Sequence, residues 1–136
     1  MNLIKAFIAG FIGTLVFHQG LLGLLYLGGI SPRAPFNLEA VAPTGIPSVV
    51  SLAFWGGVWA IALLPLLRRF RGAKWWVAWL VAGALLPSAV ALFIVFPLKG
   101  MAMAGGWDPK LIVGALLLNG GWGIGTALVL RMLKAR

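Results

Sequence analysis

Long apolar stretches alternate with short segments that hold nearly all of the charged residues. The apolar stretches cover residues 6–28, 48–67, 75–97 and 111–130. A helix of about 20 apolar residues crosses the hydrocarbon core of a bilayer. The pattern therefore predicts an all-α, polytopic membrane protein with four transmembrane helices.

Composition agrees with this prediction. Of the 136 residues, 62% are hydrophobic and only 10% are charged, which is too little polar surface to cover a soluble globule. The short connections favour a single four-helix domain, residues 1–136. The first apolar stretch is about twice as long as the hydrophobic region of a secretory signal and lacks a cleavage motif, so we interpret it as the first transmembrane helix.

The basic residues indicate how the helices are oriented. Eight of the eleven lie at the N-terminus, between the second and third stretches, and at the C-terminus: Lys5, Arg68, Arg69, Arg71, Lys74, Arg131, Lys134 and Arg136. Cytoplasmic loops are enriched in Lys and Arg. We therefore expect a multi-pass protein of the bacterial inner membrane with both termini in the cytoplasm.

The net charge of +9 does not indicate nucleic-acid binding. A nucleic-acid surface needs basic residues on one solvated face, whereas these residues flank apolar spans. The expected partners are instead the lipid bilayer, including its anionic headgroups, and either a second copy or another membrane protein. No nucleic-acid partner is expected.

The connections also carry structural signals. Four prolines and Glu39 predict that segment 29–47 is an extended periplasmic cap without a regular helix. Asp108 followed by Pro109 is typical of a helix N-terminus, so we interpret Asp108 as a capping residue. Trp75, Trp76 and Trp79 are predicted to lie at the membrane interface, where indoles are enriched.

Glycines within the spans predict where helices approach each other. In a membrane, helices associate through small residues that let backbones come close. The predicted packing positions are Gly10 and Gly13 in the first helix, Gly56 and Gly57 in the second, and Gly121 and Gly125 in the fourth. Pro87 predicts a kink in the third helix.

A few polar residues within the spans fall at a similar depth. At 1.5 Å per residue, His18, Ser88 and Asn119 each lie roughly 12–14 Å below the periplasmic surface, with Gln19 and Trp55 close to the same layer. An ionisable residue inside a membrane is a candidate functional site, so these five residues form a hypothetical ligand-binding site. The alternative is that a neutral His18 hydrogen-bonds to Asn119 or Ser88 and only fixes helix packing.

Chemistry beyond binding has little support in the sequence. The only carboxylates are Glu39 and Asp108, both outside the spans, and there is no cysteine. A hydrolytic triad, a metal site with three or four ligands, and thiol catalysis are therefore not expected. We expect no enzyme activity, no catalytic residue, no metal and no cofactor.

Several segments are similar to segments of small bacterial inner-membrane proteins, namely residues 17–20, 43–47, 51–57 and 119–123. No function is transferred to this chain from the resemblance. Two hypotheses lead, ahead of a third, an enzyme that acts on lipid or quinone. The first is an interaction or structural subunit that packs through its glycine-rich helix faces, as a homo-oligomer or in a larger complex. The second is a channel, carrier or ligand-binding protein with a periplasm-facing polar pocket around His18, Ser88 and Asn119.

Overall fold

A computed structural model gives the arrangement of residues 2–135; Met1 and Arg136, which ends the last basic cluster, lie outside the described residues. The elements in chain order are α1 (Leu3–Leu27), β1 (Ala40–Val41), β2 (Ile46–Pro47), α2 (Ser48–Leu67), α3 (Ala73–Leu98), α4 (Ala104–Trp107) and α5 (Pro109–Met132). Helices α1, α2, α3 and α5 are long and apolar enough to cross a membrane. The predicted all-α fold with four candidate spans is confirmed.

The N-termini of α1 and α5 are capped by side chains. The Lys5 amide donates to Asn2 Oδ1 at 3.0 Å, and the Lys110 amide donates to Asp108 Oδ1 at 3.0 Å. Pro109 is the first residue of α5, where a missing N–H leaves no intrahelical bond unmade. The structural role expected for Asp108 is confirmed.

The four long helices pack mainly in the order α2, α1, α5, α3. Helix α2 packs on α1, α1 packs on α5, and α5 packs most extensively on α3. Helices α2 and α3 are joined by the short turn 68–72, but they contact each other little, because the small residues of α2 face α1 and those of α3 face α5.

Both ends of the described chain lie at one end of the bundle. Lys5 Nζ donates to the Leu133 carbonyl oxygen at 2.9 Å, which joins the start of α1 to the residue after α5. The Arg131 guanidinium carbon lies 5.6 Å from the centroid of the Trp76 ring, near the start of α3. We call this end, with Lys5, residues 68–74 and residues 131–134, the basic end.

The bundle core is concentrated towards the basic end and contains three tryptophans. Trp75 and Trp79 have ring centroids 5.7 Å apart, and those of Trp79 and Trp122 are 6.3 Å apart, both in edge-on geometry. Trp75 and Trp79 are fully buried, so their rings face the core of the bundle and not its outer surface. They lie four residues apart on α3 and share one helix face, and that face is turned inward, where large aromatic rings fill the core.

Segment 28–47 lies at the opposite end, which we call the capped end. It contains the two-residue antiparallel strands β1 and β2, which the sequence analysis did not predict. The amides of Ser48 and Val49 donate to the carbonyl oxygens of Glu39 and Asn37 at 2.8 and 2.9 Å. These bonds satisfy two amides at the start of α2 that have no partner within the helix.

Two of the long helices contain a π-helical segment. Residues Gly13–His18 form one in α1, and Ala91–Val95 form one in α3. The second begins one turn after Pro87, which cannot donate a backbone hydrogen bond. The kink predicted at Pro87 stays a prediction, and the irregularity observed in α3 is the π-helical segment that follows the proline.

Glycines of α1 and α2 lie where these two helices cross. A Cβ atom added to Gly10 would collide with the carbonyl oxygen of Gly56, and one added to Gly57 would collide with the Phe7 ring. A side chain at any of these glycines would force the two helices apart.

Glycines also line the crossing of α1 and α5. A Cβ added to Gly13 would collide with the Thr126 hydroxyl, and one added to Gly125 would collide with the Phe17 ring. A Cβ added to Gly121 would lie 3.2 Å from Leu21 Cδ2. The six predicted packing glycines thus all face a neighbouring helix of the same chain.

Helices α3 and α5 cross where Gly83 of α3 meets Gly123 of α5. A Cβ added to Gly83 would lie 2.9 Å from Gly123 Cα, and one added to Gly123 would collide with the Trp79 carbonyl oxygen. One turn away, a Cβ added to Gly120 would lie 3.5 Å from that of Ala84. The backbones of α3 and α5 are therefore in direct contact.

We predict that Gly123→Ala lowers the free energy of unfolding by about 1–3 kcal/mol, because the methyl group overpacks the crossing of α3 and α5. Gly114→Ala is the matched control in the same helix, since nothing lies within 4 Å of an added Cβ there. It should leave stability unchanged or raise it by up to about 1 kcal/mol through helix propensity. Denaturant titration in mild detergent measures both values, and equal effects of the two substitutions would contradict the packing described here.

Candidate functional site

One predicted polar pair joins α3 to α5. Asn119 Nδ2 donates to Ser88 Oγ at 2.9 Å, and Ser88 Oγ donates to the Ala115 carbonyl oxygen at 3.2 Å. The Ser88 side chain is only 1% exposed. Its hydroxyl donates one bond and accepts one, so the pair is a hydrogen-bonded clamp in the half of the bundle nearer the capped end.

The other predicted pair joins α1 to segment 28–47. Gln19 is 4% exposed, and its Nε2 lies 3.0 Å from His18 Nδ1, while its Oε1 accepts from the Phe36 amide at 2.7 Å. Because the Gln19 amide group is the donor, Nδ1 of His18 is the acceptor and the neutral ring carries its proton on Nε2. Gln19 therefore joins segment 28–47, at the capped end, to helix α1.

A second contact between segment 28–47 and α1 lies at Gly23. A Cβ added to Gly23, one turn beyond Gln19 in α1, would lie 3.3 Å from Pro35 Cγ. Segment 28–47 thus touches α1 through both a hydrogen bond and a proline ring, over two successive turns of the helix.

Trp55 occupies a different surface. Its side chain is 56% exposed, and its ring contacts the Phe54 ring edge-on at a centroid distance of 5.5 Å. Phe54 in turn contacts Phe7 of α1 at 5.7 Å. Trp55 therefore belongs to an aromatic group on the outer side of α1 and α2.

The structure thus divides the predicted polar layer into two hydrogen-bonded pairs. Ser88 and Asn119 bind each other between α3 and α5, and His18 and Gln19 bind each other beside segment 28–47. Within residues 2–135, no hydrogen bond connects the two pairs. Nε2 of His18 also has no hydrogen-bond partner there, so it is a donor that a bound molecule could use.

A third polar group, which was not predicted from the sequence, lies in the middle of the bundle. The Gly10 carbonyl oxygen accepts from Thr14 Oγ1 and from Trp122 Nε1, each at 3.0 Å. A Cβ added to Gly56 would lie 3.1 Å from the same Trp122 nitrogen, so α1, α2 and α5 meet at this point.

Two signals in the sequence could have indicated this group. A threonine hydroxyl can bond to the carbonyl four residues earlier in a helix, which pairs Thr14 with Gly10. A tryptophan within a membrane needs a partner for its single N–H, and close approach to a glycine exposes a backbone carbonyl. What the sequence could not show is which helix supplies that carbonyl to Trp122.

The polar groups described above act as hydrogen-bond donors and acceptors. Within the described part of the chain, no group of three or more His, Asp, Glu or Cys residues is placed to hold a metal ion. Glu39 and Asp108 lie in the connections at the capped end, outside the long helices. The polar groups therefore join helices and loops, and the free His18 nitrogen is the position best suited to an added ligand.

We predict that Ser88→Ala and Asn119→Ala are energetically coupled. Either single substitution breaks the same hydrogen bond, so the double variant should lose less stability than the sum of the two single variants. The expected coupling is about 0.5–1.5 kcal/mol, the range measured for such bonds between membrane helices. A double-mutant cycle of unfolding free energies measures it, and strictly additive losses would contradict a direct bond.

Comparisons with known proteins give this chain no family. No protein-family model, no curated protein and no solved structure matches it.

Proposed function

We propose that this chain is a small structural or interaction subunit of the bacterial inner membrane, without enzyme activity. In the proposed orientation both termini and the turn 68–72 are cytoplasmic, and segment 28–47 is periplasmic. The grouping of Lys5, residues 68–74 and residues 131–134 at one end of the bundle supports this orientation, because basic residues are retained on the cytoplasmic side.

The observation that carries the proposal is the contrast between the inside and the outside of the bundle. Inside, the polar pairs bind each other and the glycines fit against neighbouring helices. Outside, the helices present broad apolar surfaces. A bundle whose polar pairs are hydrogen-bonded to each other and whose long helices expose broad apolar surfaces is suited to contacts with lipid and with other helices.

The glycine-rich faces are already occupied within the chain, because the predicted packing glycines face helices of the same chain. Helix α3 offers an alternative surface. Of the residues in the most apolar part of each long helix, the share that is buried is lowest in α3, at 22%, against 44% in α5. The exposed apolar side chains of α3 are Val77, Leu80, Val81, Leu85, Leu86, Phe93, Ile94 and Leu98.

The position of α3 in the packing order gives the same result. It packs extensively on only one long helix, α5, as α2 does on α1 at the other end of the packing order, whereas α1 packs on both α2 and α5. A helix at the edge of a bundle can accept a further neighbour without disturbing existing contacts. We therefore place the proposed contact with a second copy or with a larger complex on the outer face of α3.

A second candidate function rests on the free His18 nitrogen. His18 and Gln19 lie beneath a segment attached by one backbone hydrogen bond to Gln19, and a second polar pair, Ser88 and Asn119, lies in the same half of the bundle. This favours a channel, carrier or ligand-binding protein with a polar pocket open to the periplasm. The pocket would use His18 as the donor and the attached segment as its cover.

We predict that the protein purified from native membranes in mild detergent carries protein partners or is an oligomer of the 14.4 kDa chain. Val81→Ala combined with Leu85→Ala should reduce that association, because both residues lie on the outer face of α3. Val16→Ala combined with Leu24→Ala is the matched control, since it removes similar exposed apolar groups from α1.

Light scattering and identification of all co-eluting molecules measure the outcome. A monomer that carries only lipid would contradict the proposed interaction function. A small solute that co-elutes with the wild-type protein but not with His18→Ala would favour the second candidate instead.

A further inference from the structure

The turn between α2 and α3 has an unusual concentration of positive charge. Arg68, Arg69 and Arg71 line an open depression together with Pro65 of α2. Gly72, with a φ of 58°, reverses the chain into α3 immediately afterwards. The tight turn thus places three arginines around one concave surface at the basic end.

One of these arginines is already held in place. Arg69 Nε donates to the Leu66 carbonyl oxygen at 2.9 Å, and its guanidinium carbon lies 5.7 Å from the centroid of the Phe70 ring. A cation is favourable at the C-terminal end of a helix, where carbonyl oxygens lack intrahelical partners. Arg69 therefore forms a fixed, positively charged wall of the depression.

The other two arginines have unused donors. Within residues 2–135, the side chains of Arg68 and Arg71 make no hydrogen bond and no ion pair, and both are exposed. The two carboxylates of the chain, Glu39 and Asp108, lie in the connections at the opposite end of the bundle. No acidic side chain of the protein can neutralise this turn.

We propose that this depression is a binding site for a phosphate group, with Arg68 and Arg71 donating to its oxygens beside the fixed Arg69. Guanidinium groups bind phosphate with two parallel hydrogen bonds, which a lysine cannot reproduce. The phosphate could belong to the headgroup of an anionic phospholipid or to a soluble phosphate compound, and both offer the same chemistry. The inference rests on the proposed cytoplasmic, interfacial position of the turn, and it replaces a diffuse attraction to anionic lipid with a defined site.

The test compares two double variants of the full chain in neutral detergent. Arg68→Gln with Arg71→Gln removes the proposed donors, and Lys74→Gln with Lys134→Gln removes the same charge from exposed positions at the basic end outside the depression. The probes are phosphatidylglycerol, zwitterionic phosphatidylcholine and inorganic phosphate. Native mass spectrometry measures lipid affinity, and calorimetry measures phosphate affinity.

We expect the arginine double variant to lose roughly tenfold or more in affinity for the phosphate probe that binds, because each charge-assisted bond is worth at least a factor of this size. The loss in the logarithm of the affinity should be less than about a third as large for the lysine double variant as for the arginine double variant, because exposed surface charges are screened by solvent and salt. Arg68→Lys with Arg71→Lys, which keeps the charge, should also bind more weakly than the wild type. Melting temperatures without ligand show whether the variants remain folded.

The lipid probes and inorganic phosphate distinguish the two sources of the phosphate group. Selective binding of phosphatidylglycerol assigns the site to a lipid headgroup, and binding of inorganic phosphate at comparable affinity assigns it to a soluble compound. Equal losses in the arginine and lysine variants, or equal binding of phosphatidylcholine and phosphatidylglycerol, would overturn the proposal. A reporter showing a periplasmic C-terminus would instead overturn the proposed orientation, whatever the binding result.

Discussion

Close approach of helix backbones at glycines is the constraint on which the remaining structure depends. In a bilayer, lipid tails solvate leucine as well as a neighbouring helix does, so apolar burial alone does not hold helices together. At the crossings of α1 with α2 and of α3 with α5, the backbones are so close that a single methyl group would collide with a carbonyl oxygen. These contacts determine the order in which the helices pack.

The polar groups depend on the same close approach. The Trp122 indole reaches the Gly10 carbonyl oxygen only because Gly56 leaves room beside it. Asn119 reaches Ser88 one turn from the contact between Gly83 and Gly123. The hydrogen bonds then fix the rotation of each helix about its axis. Without them, the glycine contacts would allow helices to slide or turn.

The sequence predicted the spans well because a long apolar run has few alternatives to a membrane helix, and residues 48–67 were predicted with the bounds observed for α2. It did not predict the packing order, because glycines are present in every span and nothing in the sequence pairs one face with another. The inward position of Trp75 and Trp79 was missed for the same reason, since interfacial and core tryptophans look alike in a sequence.

The candidate site shows a related limit. Depth along a helix follows from residue number, and that estimate grouped His18, Ser88 and Asn119. The direction in which a side chain points around the helix axis depends on packing. Gln19 points towards Phe36, whereas Ser88 and Asn119 point towards each other between α3 and α5. Trp55 had a suitable depth, but its side chain points outward. Depth alone therefore could not tell one shared pocket from two separate pairs.

The most direct measurement of the central claim, that small-residue contacts are made within one chain, is disulfide formation between Ala84→Cys and Gly120→Cys. The chain has no natural cysteine, and the Cβ atoms at these positions would lie 3.5 Å apart, close to the separation found across disulfides. Oxidation should give an internally crosslinked monomer, and neither single variant should crosslink as fast. Crosslinking only between two chains would show that α3 and α5 meet across an oligomer interface and would contradict the account.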